Sequence, residues 1–430
     1  MDAMSLATDA SLSITNVMQF ADGSSLAERA SASDGSVTSG VAPGPAQQLP
    51  LEGFSPQELE ALKPLARGGV ALLVRDANSG MRARITVMVH TRASMATVLR
   101  VISRVEEYDQ IMDGVRDMEV TSRTRNRIGF HFVVGLSVFD VETSASLHIQ
   151  SPQRVNGQFL RSTLGPGGLR WDLYPDERGG SFIAYSSWGD PSQGNWFLRT
   201  IARVAPSTIA AMQVSYDTVL ALSASRRAEQ LESLATARRP TERFVPAGAL
   251  AVPSGAWISL AEHALVGGVV MSSEGVMSQS FVAMSVPSAS STVLARFADV
   301  SGYPRVWNAA IRSLNIVSEN SGQTRFRTVV ETPVFHTEGE QLRVLERVAG
   351  SGTDAVCIWR GLTGDYQRDE QRFDIRANAS GGTTVVLTGG ADHNRVGFVA
   401  RTIMARDVWM TPGYSLAWKM VWLAAGLTGL

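Results

Sequence analysis

The chain has 430 residues, 44% hydrophobic and 18% charged, with a formal net charge of −1. That is enough apolar material for a buried core, and too little net charge to draw the whole molecule to nucleic acid or an anionic membrane. A single cysteine, Cys357, excludes an intrachain disulfide framework.

Residues 1–50 are rich in Ser, Ala, Gly and Asp. They lack sustained periodicity and are expected to be disordered. No basic and then apolar leader occurs in the first twenty residues, and no run reaches the ~18 apolar residues of a membrane span. The nearest stretch, 418–430, is short and is interrupted by Lys419. These features lead us to expect a cytoplasmic protein, with transient contact to a membrane surface as the one membrane role considered.

Ser55-Pro56-Gln57-Glu58 is a helix start, with Ser at the cap and Pro at the first helical position. Leu59, Leu62 and Leu65 give that helix an apolar edge, and Gly68-Gly69 ends it. Residues 70–74 and 82–90 form a predicted hairpin around Asn78-Ser79-Gly80. A short amphipathic helix carries Val98, Leu99, Val101, Ile102 and Val105 on one face, and Tyr108 ends it. Strands are predicted at about 118–122, 128–136, 138–149, 155–161, 169–174 and 181–188. Gly, Pro, Asn or Asp marks most of the breaks. Gly165-Pro166-Gly167-Gly168 lies between strands and is read as a turn. A long helical pattern follows from 195 to about 235, and Pro206 should kink or restart it. Arg226, Arg227, Arg238, Arg239 and Arg243 crowd its end among interleaved Glu residues. This reads as a solvated helix end and linker, with a contact to an anionic partner as the alternative. Residues 240–253 cross to the second unit.

The second unit repeats the first. Thr97-Val98-Leu99, Val105 and Tyr108 recur 195 residues later as Thr292-Val293-Leu294, Val300 and Tyr303. Arg170-x-Asp172, Gly179-Gly180 and Arg199-Thr200-Ile201 recur 202 residues later. Gly68-Gly69-Val70 is matched to Gly267-Gly268-Val269, and Arg161 to Arg360, both 199 apart. The period is too long for a solenoid. We therefore expect an α+β protein with a disordered segment (1–50) and two domains of one fold (51–240 and 241–430). The second C-terminal helix should begin near Val396. Each unit is a curved antiparallel sheet with one long helix across its concave face, and a cavity is expected between them.

This order resembles the helix-grip fold of the START-like, SRPBCC superfamily. The similarity is greatest to its polyketide cyclase and coenzyme Q-binding branch. The residues that carry it are Ala96-Thr97-Val98, Tyr108-Asp109 and Asp113-Gly114-Val115 in the first unit. In the second they are Pro287, Thr292-Val293 and Tyr303-Pro304. Trp171-Asp172-Leu173-Tyr174-Pro175, followed by Gly179-Gly180, matches a later strand of the pattern; the second unit has Phe373-Asp374-Ile375 there, without the Pro. The resemblance implies a hydrophobic-ligand cavity and covers about 66–225 and 265–425.

No CxxC, HxxxH, HExxH, GxSxG or phosphate-binding Gly loop occurs, so no metal, cofactor or nucleic-acid partner is expected. Alternation places Arg161 on the strand face of Phe159, and Arg360 on that of Ile358. If those faces are inward, each guanidinium could anchor a polar group on an apolar ligand; Asp172 and Asp374 are candidate partners. Trp171 should point inward, with Phe132, Met212, Tyr216, Phe373 and Trp418 as further lining residues. A hydrophobic small molecule or lipid, including an isoprenoid quinone, is the expected partner. A polyketide aromatase/cyclase is the alternative, with His131, Tyr185 and Arg161 as its set. A protein-interaction module with a filled cavity is the third reading.

Overall fold

The computed structural model describes residues 53–75, 83–111, 115–135, 140–204, 206–234, 255–272, 275–307, 311–332, 335–347, 355–366, 369–390 and 410–427. The N-terminal segment, the turn at 78–80, the linker 240–253 and the expected helix start near Val396 lie outside them.

Helix α1 (Pro56–Gly68) begins as the sequence predicts: Ser55 accepts from the Glu58 N–H, and Glu58 accepts from the Ser55 N–H. Strands β1 (Gly69–Arg75) and β2 (Arg84–Thr91) form the first hairpin, and α2 (Met95–Ser103) follows. Six antiparallel strands come next: β3 (Val115–Arg123), β4 (Arg127–Gly135), β5 (Asp140–Ser151), β6 (Arg154–Ser162), β7 (Gly167–Pro175) and β8 (Ser181–Gly189). Pro206 restarts the helix, giving α3 (Trp196–Val204) and α4 (Pro206–Leu231).

The second half repeats this plan with β9 (Leu265–Met271), β10 (Met277–Val286), α5 (Ser290–Ala298), β11 (Ile311–Asn320), β12 (Gln323–Thr332), β13 (Phe335–Arg347), β14 (Ala355–Gly361), β15 (Glu370–Ala377), β16 (Thr383–Gly390) and α6 (Met410–Leu427).

The two halves share one sheet of sixteen strands, in the order β11-β12-β13-β14-β15-β16-β10-β9-β1-β2-β8-β7-β6-β5-β4-β3. The join is the antiparallel pair β1–β9. On one face lie α4 and α6, over a core that runs from Ile128 through Val87 and Val282 to Phe373. On the other face α1 and the turn Trp257–Leu260 cover the join, with Leu62, Leu65, Phe182, Trp257 and Phe281. The helices α4 and α6 approach closely: a Cβ on Gly413 would stand 2.7 Å from the Ser215 carbonyl oxygen.

The strand register corrects two of the matches made from sequence. Leu72 pairs with Val87, and Gly267 with Val282, so Leu72 and Gly267 are counterparts. Gly68-Gly69 ends a helix and opens a strand. Gly267-Gly268 lies mid-strand, where a Cβ on Gly268 would meet the Val70 carbonyl oxygen and the Phe281 ring. Likewise Arg360 pairs with Glu370 as Gln158 pairs with Gly168, so the counterpart of Arg360 is Gln158 rather than Arg161.

Candidate functional site

One row of residues crosses the inner face of each half in register. In the first half it reads Ile128, Leu147, Gly157, Leu169, Ser187, Ile85. In the second it reads Thr324, Arg343, Trp359, Gln371, Gly389, Ser280. The helices above these rows also correspond. Asp217 on α4 accepts from the Ser187 hydroxyl at 2.5 Å, while the Lys419 side chain on α6 lies over Gly389, the position equivalent to Ser187.

The first half holds a cavity of about 190 Å³ between α3, α4 and the strands β4, β5, β6 and β8. The helix contribution is a stripe at helical spacing: Ile209, Met212, Gln213, Tyr216, Asp217 and Leu220. The strands add Phe132, Thr143, Phe159, Tyr185 and Trp188. The walls are almost wholly apolar, and a short polar chain crosses one side. Gln213 Nε2 donates to Ser187 Oγ at 2.6 Å, and Ser187 Oγ donates on to Asp217. Burial holds the Asp217 carboxyl well above the usual carboxylate range, and the Ser187 bond only partly opposes this. The Tyr185 phenol is likewise raised, by burial first and then by Asp217. Both shifts favour the neutral form of the group in the cavity.

The second half carries larger rings at the equivalent positions. Trp359 stands where the first half has Gly157, and it packs against Tyr303 at 5.1 Å, Phe373 at 5.0 Å and Trp422 at 5.8 Å. Trp418 and Trp422 occupy the positions of the lining residues Tyr216 and Leu220.

The structure brings Phe132, Phe159, Tyr185, Met212 and Tyr216 together around the first cavity. Trp171 is buried beside Tyr185, with ring centroids 4.5 Å apart. Phe373 and Trp418 belong to the aromatic packing of the second half.

Arg161, His131, Arg360 and Ile358 do not lie on the inner face; alternation fails for Arg161 alone, while Arg360 and Ile358 share one strand face as expected, and that face is the outer one. A bulge in β6 pairs Ala145 with Phe159 but Ser144 with Arg161, so Leu160 is the extra residue. A bulge breaks period-2 alternation, and Arg161 leaves the face of Phe159 and is exposed. His131 faces away from the cavity as well: its Nδ1 lies 3.2 Å from Ser144 Oγ. Arg360 is exposed and donates to Glu370 at 3.1 Å. Ile358 is its neighbour on the outer face, opposite in direction to Cys357 and Trp359, which join the inner core. Asp172 and Asp374 pair with the arginine two residues before each, Arg170 and Arg372, at 2.6 and 2.9 Å. The repeated Arg-x-Asp motif is thus a structural brace on the outer face.

Asp217, Ser187 and Gln213 were not singled out from the sequence. Their signal was present: an acidic residue inside an apolar helical stripe, at 217 among 209, 212, 216 and 220.

Among the described residues no helix is long and apolar enough to cross a membrane, and no cluster of His, Cys, Asp and Glu could hold a metal ion.

No protein-family model matches the chain, and no characterised protein matches it in sequence. Solved structures do match it. A di-domain ARO/CYC protein, StfQ, from the steffimycin biosynthetic pathway is 11% identical over 79% of this chain and 99% of its own, with a TM-score of 0.26. A START superfamily protein from Mycobacterium smegmatis is 13% identical over 34% of this chain and 98% of its own, with a TM-score of 0.28. A STAR-related lipid transfer protein from Xanthomonas axonopodis is 11% identical over 40% of this chain and 97% of its own, also at 0.28.

Proposed function

We propose that this chain is a binding or carrier protein for a neutral, hydrophobic small molecule held in the first-half cavity. Lipids, isoprenoid quinones and other polycyclic compounds are the ligand classes considered. The observation that carries the reading is an apolar cavity whose polar strip, Gln213–Ser187–Asp217, contains no cation and whose carboxyl is pushed toward its neutral form by burial. Each CH₂ removed from water contributes roughly 0.8 kcal/mol, so walls of this kind favour an apolar body. A carbonyl or hydroxyl on the ligand would meet Asp217 and Tyr185, whereas a carboxylate would meet no cation there.

Native mass spectrometry of the purified full-length chain, with organic extraction of what co-purifies, tests it. A discrete added mass at one ligand per chain, lost on extraction, is the expected result. A clean apo mass after exposure to quinones, sterols and fatty alcohols overturns it.

One feature favours an aromatase/cyclase-type enzyme as the second reading. A carboxyl pushed toward its protonated form inside a cavity, next to a phenol, is a candidate general acid for polarising a ketone. Its residues would be Asp217 and Tyr185, since His131 and Arg161 lie outside the cavity. Asp217→Asn separates the two readings. A carrier keeps its ligand, whereas an enzyme keeps binding but loses turnover.

A further inference from the structure

The second half buries a cation with no ion-pair partner among the described residues. Arg343 is 4% exposed, on the inner face between Thr324 and Trp359. In the first half this position is Leu147. One guanidinium nitrogen, Nη2, donates to Thr324 Oγ1. The Nε is sealed from solvent and has no acceptor. No carboxylate of a described residue lies within ion-pair distance of Arg343. Lys419, also buried, has Asp369 nearby to draw it, whereas Arg343 has no such partner among the described residues.

Further donors beside it are also unsatisfied. Trp359 Nε1, across the strand pair from Arg343, lies near the Tyr303 hydroxyl and the Cys357 thiol but meets hydrogen-bond geometry with neither. Trp422 Nε1, on the ring packed 5.8 Å from that of Trp359, has no acceptor. Among the described residues, the paired Arg343 and Trp359 thus each bury an N–H without an acceptor, and one of these belongs to a full charge. An isolated buried charge costs several kcal/mol, and buried donors are nearly always satisfied.

We propose that the second half is an anion site, and that Arg343, with the indole N–H of its cross-strand partner Trp359, receives the carboxylate of a small organic acid with an aromatic or apolar body. A monoanion matches a single guanidinium in charge, whereas a phosphate dianion would bury one unit in excess. The fork of the guanidinium fits two carboxylate oxygens, and the mutually packed rings of Phe326, Tyr303 and Trp359 give the site an apolar, aromatic surround. The chain then carries two sites of opposite preference: neutral ligands in the first half and acids in the second. This site does not depend on the carrier reading of the first cavity.

The test uses the full-length chain, followed by tryptophan fluorescence and thermal shift, with benzoate as probe. Benzamide serves as the neutral isostere and inorganic phosphate as the dianion. Benzoate should bind saturably, at least about tenfold tighter than benzamide, as expected of a charge-assisted bond, and phosphate should bind more weakly than benzoate. Arg343→Met should abolish the benzoate response while leaving the ligand-free chain at least as stable as wild type, because it removes an unpaired charge. Met212→Trp, in the first cavity, should leave the benzoate response unchanged. The proposal is overturned by equal binding of benzoate and benzamide, by tighter binding of phosphate, or by a benzoate response that survives Arg343→Met. A response lost in Met212→Trp would place benzoate in the first cavity and also overturn it, without touching the carrier reading. If both Arg343→Met and Arg343→Lys fail to fold, Arg343 is structural and the anion site is rejected.

Discussion

Leu72 and Gly267 face each other across the middle of the sixteen-stranded sheet, and each is the other's counterpart. A local twofold axis therefore passes between them. The same symmetry relates α4 to α6, and makes every difference between the halves readable position by position.

The closest helix approach should be sensitive. A Cβ on Gly413 meets Ser215 backbone atoms at 2.7 and 2.9 Å, and backbone cannot rotate away as a side chain can. Gly413→Val should destabilise the chain by about 2 kcal/mol through overpacking. Chemical denaturation reads this as a lower midpoint at unchanged slope; a midpoint equal to wild type would show that α4 and α6 are not in contact here.

Asp217 should make the protein less stable as pH rises. Its carboxyl is raised in the folded state, so between the ordinary carboxylate range and its folded value the native chain holds a proton that the unfolded chain has released. Stability then falls with pH across that window, by up to about 1.4 kcal/mol per pH unit. Asp217→Asn removes this slope and keeps an acceptor for Ser187. Denaturation at pH 5 and pH 8 should show the variant gaining on wild type at the higher pH. Parallel curves would mean that Asp217 is ionised in the fold.

Lys419 should act in the alkaline range. Burial lowers its ammonium to about 8, from an ordinary 10.5. Below pH 8 both states are charged and the slope is flat; between about 8 and 10.5 the unfolded chain binds more protons, so stability rises with pH. The full span is worth about 3 kcal/mol. Lys419→Met should be more stable than wild type at pH 7, and the gap should narrow toward pH 10. A gap that does not change with pH would exclude a depressed lysine.

The first cavity should close to ligand on Met212→Trp, because Met212 sits in the lining stripe between Ile209 and Tyr216. The added ring should weaken binding of the co-purified ligand at least about tenfold. Native mass spectrometry would show loss of the added mass; retention would place the ligand elsewhere.

Much of this was legible before the structure. The capping box at Ser55, the restart at Pro206 and the strand run from 115 to 189 follow from local chemistry. Two things were not. The bulge at Leu160 inverts the face of Arg161, and no composition rule marks a bulge whose extra residue is an ordinary leucine. The counterpart of Arg360 was also mistaken, because identical residue types drew the match to Arg161 while the register selects Gln158. Leu147 against Arg343 carries the second site, and such an unlike pair leaves no trace in a search for likeness.

The pairing of β1 with β9 bears on ancestry and on assembly. A strand that meets its own counterpart antiparallel makes the contact that two copies of a single half would make as an isologous dimer. Joining the copies in one chain turns that encounter into an intramolecular one, held at a fixed effective concentration however dilute the protein. It also frees each copy from having to match the other: one partner can set a carboxyl under its long helix while the other sets a guanidinium and indoles. A severed half would regain an open strand edge at Gly69–Arg75, and with it the tendency to find a twin.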